Sequence, residues 1–120
     1  MITETGSLIV GIEHAGKKHT EFVLRPQVVK DSVEILEGPH ASRASKNDSF
    51  FGVCLLARQI TKLGDIPVAE ITPELVMSMT DVDFQEISRV REVLEKSLRS
   101  FRGKTEEPEE AAARDAEAGV

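Results

Sequence analysis

The last third of the chain has apolar residues at three- and four-residue spacing, which predicts a long amphipathic helix over residues 81 to 101. Charged residues occupy the remaining helix surface, and the apolar stripe consists of Phe84, Ile87, Val90, Leu94, Leu98 and Phe101. Thr80 and Asp83 match a Thr-x-x-Asp capping box, in which the Thr80 side chain accepts a hydrogen bond from the Asp83 backbone N–H. We therefore interpret Asp81 and Asp83 as residues that stabilise the start of this helix.

Alternating and β-branched apolar residues near the N-terminus predict a β-hairpin. Its first strand is the segment SLIVGI, from Ser7 to Ile12, and its second is the segment KHTEFVLR, which ends at Arg25. Gly16 lies between them and supplies the positive φ angle that a short hairpin loop commonly needs. Pro26 ends the second strand because it has no N–H to donate to the ladder.

A short helix is predicted after the hairpin, over residues 29 to 37. Val29, Val33 and Leu36 lie on one side of it, and Gly38-Pro39 provides the stop. The following segment, HASRASKND, is polar and has no apolar periodicity. We therefore predict a loop there.

Two more helices are predicted before the long one. Asp48 or Ser49 caps the first of them, and Gly64 ends it. Its apolar face consists of Phe50, Val53, Cys54, Ala57, Ile60 and Leu63. The second covers residues 73 to 79, with Thr72 as the capping residue and Pro73 at the first helical position.

Together these elements predict an α+β fold, in which a small N-terminal β-hairpin packs on a bundle of three to four helices. One domain over residues 1–102 suits a chain of 120 residues with 40% hydrophobic composition. Residues 103–120 are acidic and contain almost no apolar residue larger than alanine. They bury too little surface to offset the entropy of ordering, so we predict a disordered acidic tail.

The distribution of charge argues against a nucleic-acid partner. The formal net charge is −6, and residues 103–120 hold six acidic and two basic residues, so four of these net negative charges lie in the tail. The rest of the chain has no basic stripe of the kind that neutralises phosphates. It also has no Trp or Tyr to stack on bases.

Cysteine content and hydropathy indicate a soluble cytoplasmic protein. Cys54 lies in the apolar run FFGVCLLA and is predicted to be a small buried hydrophobic residue, which suits a reducing compartment. No apolar stretch approaches the ~20 residues that span a bilayer. The N-terminal segment also lacks the features of a secretory signal, so we expect no membrane partner.

The sequence gives little support for catalysis, a metal or a cofactor. None of His14, His19 and His40 forms an i, i+4 ligand pair, and we expect His14 and His19 at exposed positions beside the hairpin turn. The aspartates of the capping box and Glu86 resemble a carboxylate cluster, but capping accounts for the aspartates. Glycine-rich phosphate loops and nucleophile motifs are absent from the sequence. We expect a protein that is not an enzyme and that has no cofactor.

Three apolar residues lie off the predicted core stripes and are candidates for partner binding: Phe51, Leu55 and Met77. Met77 and Met79 stand two residues apart in a short helix, so they cannot both point to the same side. Phe51 lies off the stripe that contains Phe50, and with Leu55 it forms a second face. Loose core packing is one interpretation, and an adaptable contact surface is the other.

A series of short motifs follows these elements along the chain. It consists of Phe22-Val-Leu-Arg25, Asp31, Leu56-Ala57-Arg58, Ile60, Gly64, Ile71-Thr72 and Val76-x-x-Met79-x-x-x-Asp83-x-x-x-Ile87. In order and spacing this series resembles the tail assembly chaperones of Mu-like and P2-like contractile-tailed phages, over roughly residues 8 to 100. Met79 stands where that family typically has leucine, and the acidic tail has no match.

The resemblance implies a small cytoplasmic protein of the bacterial host cell that binds the tape measure protein. It would keep this long helical chain, with its exposed apolar seams, soluble until tail tube subunits polymerise around it. The tape measure protein is thus the expected partner, and the tail tube protein is a further candidate. Such a chaperone is not expected in the mature virion. Phe51, Leu55 and Met77 supply the candidate apolar contacts.

Two other classes of protein share this size and α+β pattern. A structural tail component, such as a completion or connector protein, would be found in purified particles. A small regulatory protein-interaction module would form a stable complex with a single small protein.

Overall fold

The computed structural model describes residues 2–105 and has an α+β fold. Its antiparallel sheet has the order β1-β2-β3 and consists of β1 (Glu4–His14), β2 (Lys17–Leu24) and β3 (Ile60–Leu63). The α-helices of this part of the chain are α1 (Val29–Glu37), α2 (Ala41–Ala44), α3 (Asp48–Gln59), α4 (Pro73–Met77) and α5 (Asp81–Thr105). A 3-10 turn, Val68–Glu70, precedes α4. The predicted fold class is confirmed, with a third strand added to the hairpin.

β1 and β2 form the predicted hairpin, and the turn between them contains two residues with positive φ. Ala15 has a φ of 54°, and Gly16 has the predicted positive φ, at 79°. The pairing register shifts between Ser7 and Ile12, where four residues of β1 face Thr20 alone. β1 therefore bulges away from β2 in its middle.

β3 corrects the prediction that a helix continues to Leu63. α3 ends at Gln59, and the next four residues form a strand in which Ile60, Lys62 and Leu63 pair antiparallel with β2. Ile60 and Leu63 are both buried, although residues three apart in a regular strand point to opposite faces. Ile60 pairs with Leu24 and Leu63 with Phe22, and the register shift at Thr61 brings both side chains to the same face. Gly64 has the expected positive φ, at 55°, but it follows a strand and not a helix.

The start of α3 and the loop before it also differ from the prediction. Asn47, and not Asp48 or Ser49, caps α3, because its Oδ1 accepts a hydrogen bond from the Phe50 N–H at 3.0 Å. The segment predicted as a loop contains the short helix α2. Both differences arise where several small polar residues compete for the same local hydrogen bonds.

α4 begins as predicted, because Thr72 Oγ1 accepts a hydrogen bond from the Leu75 N–H at 3.2 Å. It ends at Met77, two residues earlier than expected. α5 continues to Thr105, past the predicted end at residue 101. The rest of the predicted disordered tail, residues 106–120, lies outside the described residues.

α5 packs on β1 and buries its apolar stripe only in its N-terminal half. Ile87, Val90 and Leu94 are buried, whereas Leu98 and Phe101 are exposed. The stripe was predicted to lie on one helix face through Phe101. Its packed part ends at Leu94.

Buried side chains form two clusters. The larger one fills the space between the sheet, α3, α4 and α5, and its most enclosed members are Phe22, Leu24, Leu56, Ile60, Leu63, Val76, Ile87 and Leu94. The smaller one joins α1, α2 and α3 and consists of Ile35, Ala44, Phe50 and Cys54. Cys54 is buried as predicted, and its burial raises the pKa of the thiol. The thiol therefore stays protonated and acts as an apolar group.

Asp83 is fully buried and does more than cap α5. Thr80 Oγ1 accepts the predicted hydrogen bond from the Asp83 N–H at 3.2 Å. The Asp83 carboxylate accepts three further hydrogen bonds from successive backbone N–H groups of β1, at 2.7 Å from Ile9, 2.8 Å from Val10 and 2.9 Å from Gly11. The interpretation of Asp83 as a capping residue alone is therefore wrong.

The bulge of β1 makes this contact possible. Gly11 has a φ of 95°, which glycine adopts readily and other residues rarely. The bulge points the backbone N–H groups of Ile9, Val10 and Gly11 at one position and so forms an anion-binding concavity. Burial raises the pKa of the Asp83 carboxyl, but hydrogen bonds from Val10, Gly11 and Ile9 outweigh burial and lower the pKa below its usual value. The ionised carboxylate thus ties the start of α5 to the edge strand of the sheet.

We predict that Asp83→Asn lowers the free energy of unfolding by about 2–3 kcal/mol, because the amide turns its own N–H2 group towards a buried backbone donor. Asp81→Asn is the matched control, since Asp81 is exposed at the same helix start. The control should change stability by no more than about 0.5 kcal/mol. Urea unfolding of both variants measures the difference. Equally small losses would contradict a role for Asp83 beyond capping.

Candidate functional site

Asp31 is the centre of a charged cluster that joins β2, α1 and α3. Arg25 donates from Nη2 to Asp31 Oδ1 at 2.7 Å and from Nη1 to Oδ2 at 3.0 Å. Arg58 donates from Nε to Asp31 Oδ1 at 3.0 Å and from Nη2 to Glu34. The Val28 N–H donates to Asp31 Oδ2 at 2.9 Å. Two arginines and two carboxylates therefore balance one another.

This cluster is a structural one. The Arg25 hydrogen bonds lower the pKa of Asp31 well below its usual range, against the opposing effect of burial, and Val28 and Arg58 add to the lowering. Because the carboxylate is buried, removing either arginine would leave an uncompensated charge. Both arginines are already paired, so the cluster offers no vacant cation for an anionic ligand.

His14 and His19 flank the hairpin turn, but His19 is buried, which corrects the expectation that both are exposed. His19 Nδ1 accepts a hydrogen bond from the Asp65 N–H at 3.1 Å, and Nε2 lies 3.3 Å from the His14 carbonyl oxygen. His14 Nε2 lies 2.6 Å from Glu70 Oε1. Within residues 2–105 no three His, Cys, Asp or Glu side chains are arranged to hold a metal ion. The two histidines connect the hairpin to the segments that follow β3.

An apolar groove of about 410 Å³ lies between the start of α3, α4 and the start of α5. We call it the methionine groove. Its apolar lining residues are Val53, Val76, Met77, Met79 and Phe84. Its charged lining residues are Asp48, Asp81 and Arg91. Met77 is 41% exposed, so the groove presents a large apolar side chain to solvent.

Gly52 widens the groove on the α3 side. A Cβ atom at this position would meet no heavy atom within 4 Å. Glycine inside a helix is less stable than alanine by about 0.5–1 kcal/mol. Packing therefore does not require this glycine, and its missing side chain leaves space along the groove.

Local hydrogen bonds fix the walls of the methionine groove. Thr72 caps α4 and Thr80 caps α5, and only a few residues separate the two helices. The Met79 N–H donates to the Val76 carbonyl oxygen at 3.2 Å and closes the turn between them. Asp83 then holds the start of α5 against the sheet. The groove is thus preformed, which lowers the entropy cost of binding a partner.

The structure places the three predicted partner-binding residues on two different surfaces. Met77 lines the methionine groove. Phe51 and Leu55 lie one helical turn apart on another face of α3, where they are partly buried against the smaller core cluster. Substitutions at Phe51 or Leu55 therefore change packing as well as surface chemistry, whereas Met77 tests the surface with less effect on packing.

A second cavity, of about 380 Å³, lies between α1, α3 and the 3-10 turn. Arg25 and Arg58 line it, but both are already paired with carboxylates of the Asp31 cluster. The Cys54 thiol also lines it, and burial raises the pKa of that thiol. We assign no reaction to this cavity.

Sequence reasoning missed Gly52 and the residues around it as part of a binding surface. The available signal was a glycine in the first turns of a helix, where it weakens the helix without an obvious packing reason. The motif series includes Arg25, Asp31 and Arg58. These residues are separated along the sequence, so the series did not predict that they form one ion-pair cluster.

No family model, curated protein or solved structure matches the chain. None of the helices in the described part of the chain is long and apolar enough to cross a bilayer.

Protonation of the two buried aspartates, Asp31 and Asp83, should cause the protein to unfold in acid. The pKa values of Asp31 and Asp83 are lowered in the folded protein, so both carboxylates stabilise it above their unfolded-state pKa of about 3.9. That stabilisation is lost as pH falls through the folded-state values. We expect a nearly constant melting temperature from neutral pH to about pH 5 and a steep fall below about pH 4.

Asp31→Asn provides the control for this pH dependence. The variant should melt at a lower temperature at neutral pH and lose less on acidification, because one of the two titrating groups is absent. Melting curves followed by circular dichroism at a series of pH values measure both effects. The same fall in melting temperature for wild type and variant would exclude Asp31 as a source of the acid sensitivity.

Proposed function

We propose that this protein is a phage tail assembly chaperone that binds the tape measure protein through the methionine groove and keeps it soluble during tail tube assembly. The observation that carries the proposal is the groove itself, which is apolar, open and bounded by three helices. Amphipathic helices bind such grooves by inserting large apolar side chains from one face. A tape measure protein is a long helical chain with apolar seams and presents many such faces.

The chemistry of the groove suits a partner with many similar but not identical segments. Met77 and Met79 have flexible, polarisable side chains that adapt to differently shaped apolar groups. Asp48, Asp81 and Arg91 provide charges of both signs beside the apolar lining. Charged residues beside the apolar face of a bound helix would set its orientation.

Residues that carry the sequence resemblance also hold the fold together. Arg25, Asp31 and Arg58 meet in one charged cluster, and Asp83 binds the bulge of β1. Thr72 caps the helix that forms one wall of the groove. These contacts support the proposal, because the motif series that resembles the chaperone family consists in part of residues that fix the fold.

In this proposal the protein acts in the cytoplasm of the bacterial host cell and is absent from the mature virion. Its role is binding, without a catalysed reaction and without a cofactor. The tail tube protein is a further partner, which would displace the chaperone as it polymerises around the tape measure protein.

Filling the groove should abolish binding without harming the fold. Gly52→Leu places a side chain in the open space of the groove, and we expect it to reduce co-purification of the co-expressed tape measure protein at least about tenfold. Gly52→Ala is the matched control, since it adds only a methyl group. Both variants should be at least as stable as wild type, because each replaces a helical glycine. Soluble yield and pull-down of the tape measure protein are the measurements.

Met77→Lys tests the same groove by introducing a charge, with Val93→Lys as the control at an exposed valine of α5. Only the Met77 variant should lose the tape measure protein. Unchanged binding by both Gly52→Leu and Met77→Lys would show that the partner binds elsewhere. If the wild-type protein never associates and is stoichiometric in purified particles, it is a structural tail component.

A further inference from the structure

The apolar side of α1 faces solvent. Val29 is 83% exposed, Val33 48% and Leu36 49%. These three residues follow one another at four- and three-residue spacing and form one line along the helix, which we call the α1 stripe. The opposite side of α1 carries the buried residues Asp31 and Ile35. The apolar side predicted from the sequence is therefore present, but nothing within residues 2–105 covers it.

The Asp31 cluster fixes this orientation of α1. Arg25 and Arg58 hold the Asp31 carboxylate inside the domain through three hydrogen bonds. Rotation of α1 to bury the stripe would break these bonds and leave the arginines without partners. The exposure of the stripe is thus built into the fold.

We infer that the α1 stripe is a self-association surface, on which a second copy of the chain packs its own α1 in antiparallel orientation about a two-fold axis. Such an interface uses the same patch on both protomers. Val29 would contact the partner's Leu36, and Val33 would lie near the axis against the partner's Val33. Each apolar residue of the stripe then finds an apolar counterpart.

Charge complementarity favours a second copy and the antiparallel orientation. Lys30 and Glu37 stand seven residues apart, so they lie two turns from each other on the same flank of the stripe. In an antiparallel two-fold pair, equal flanks face each other, which places Lys30 opposite the partner's Glu37 and repeats the contact by symmetry. In a parallel pair this flank would face the flank that carries Ser32, and the complementarity would be lost.

Both charged groups are available for such contacts. Glu37 takes part in none of the ion pairs formed within residues 2–105. Lys30 Nζ lies 3.6 Å from Glu34 Oε2 in an exposed pair, which contributes little. Glu34 is held more firmly by Arg58. Lys30 can therefore turn to a partner at small cost.

The size of α1 limits the strength of the dimer. α1 has nine residues, whereas stable protein interfaces bury roughly 1,200–2,000 Å² in total. A single short helix on each protomer supplies less than this. The dimer should therefore be weak, and its population should rise steeply with protein concentration.

Sedimentation velocity of the full chain over a hundredfold concentration range tests the inference. The wild type should change from monomer to dimer as concentration rises. Val33→Glu should raise the dissociation constant more than about tenfold, because two like charges then meet near the axis. Val93→Glu, at a 38% exposed valine in α5, is the matched control and should leave it unchanged. At the lowest concentration, where all three proteins are monomeric, their circular dichroism spectra and melting temperatures should be alike.

Charge-reversal variants distinguish a specific antiparallel dimer from non-specific association through apolar residues. Lys30→Glu and Glu37→Lys alone should each raise the dissociation constant about tenfold, since symmetry turns two attractions into two repulsions. The double variant should restore it to within about twofold of wild type. A wild type that is monomeric at every concentration, a dimer insensitive to Val33→Glu, or a double variant without rescue would each overturn the inference. If the wild type is monomeric at every concentration and Val33→Glu loses tape measure binding, the stripe is a contact surface for that protein and not for a second copy.

Discussion

The contact between Asp83 and the bulge of β1 is the constraint on which the rest of the fold depends. A buried carboxylate requires partners, and here successive backbone N–H groups supply them across more than seventy residues of sequence. The contact joins the edge of the sheet to the start of α5. That start forms one wall of the methionine groove. Asp83 therefore positions the proposed binding surface although it does not itself line the groove.

The Asp31 cluster has a comparable effect on the other side of the molecule. Buried ion pairs often contribute no more stability than well-packed apolar residues of similar volume, because desolvation offsets their attraction. We therefore interpret the cluster as a device for orientation, since it turns the polar side of α1 inward. The apolar side of the same helix then faces solvent. Two buried carboxylates, Asp83 and Asp31, thus fix the positions of two exposed apolar surfaces, the methionine groove and the α1 stripe.

Local rules predicted the elements whose signals are local. The α+β class followed from the spacing of apolar residues along the chain. Turn and capping chemistry then predicted the positive φ of Gly16, the cap at Thr72 and the Thr80 hydrogen bond. β3 was missed because the three-residue spacing of Ile60 and Leu63 fits a helix face, and a regular strand would place the two residues on opposite faces. A register shift in the pairing with β2 brings them to one face. The contact of Asp83 with β1 was also missed. The capping position accounts for an aspartate at the start of α5, and nothing in the sequence shows that residues more than seventy positions away reach its carboxylate. In the methionine groove, the sequence predicted Met77 as a candidate binding residue. It could not predict the open space beside Gly52, because that space depends on how α3, α4 and α5 pack.

The most direct test of the account is to observe the methionine groove while the partner binds. The chain has three methionines, so a protein labelled with ¹³C only at methionine methyl groups gives a simple spectrum. Titration with a soluble helical segment of the tape measure protein should shift the Met77 and Met79 signals together and saturate at a fixed ratio. The Gly52→Leu protein should show no such change. Formation of the complex with both methionine signals unchanged would contradict the account, because the partner would then bind outside the groove.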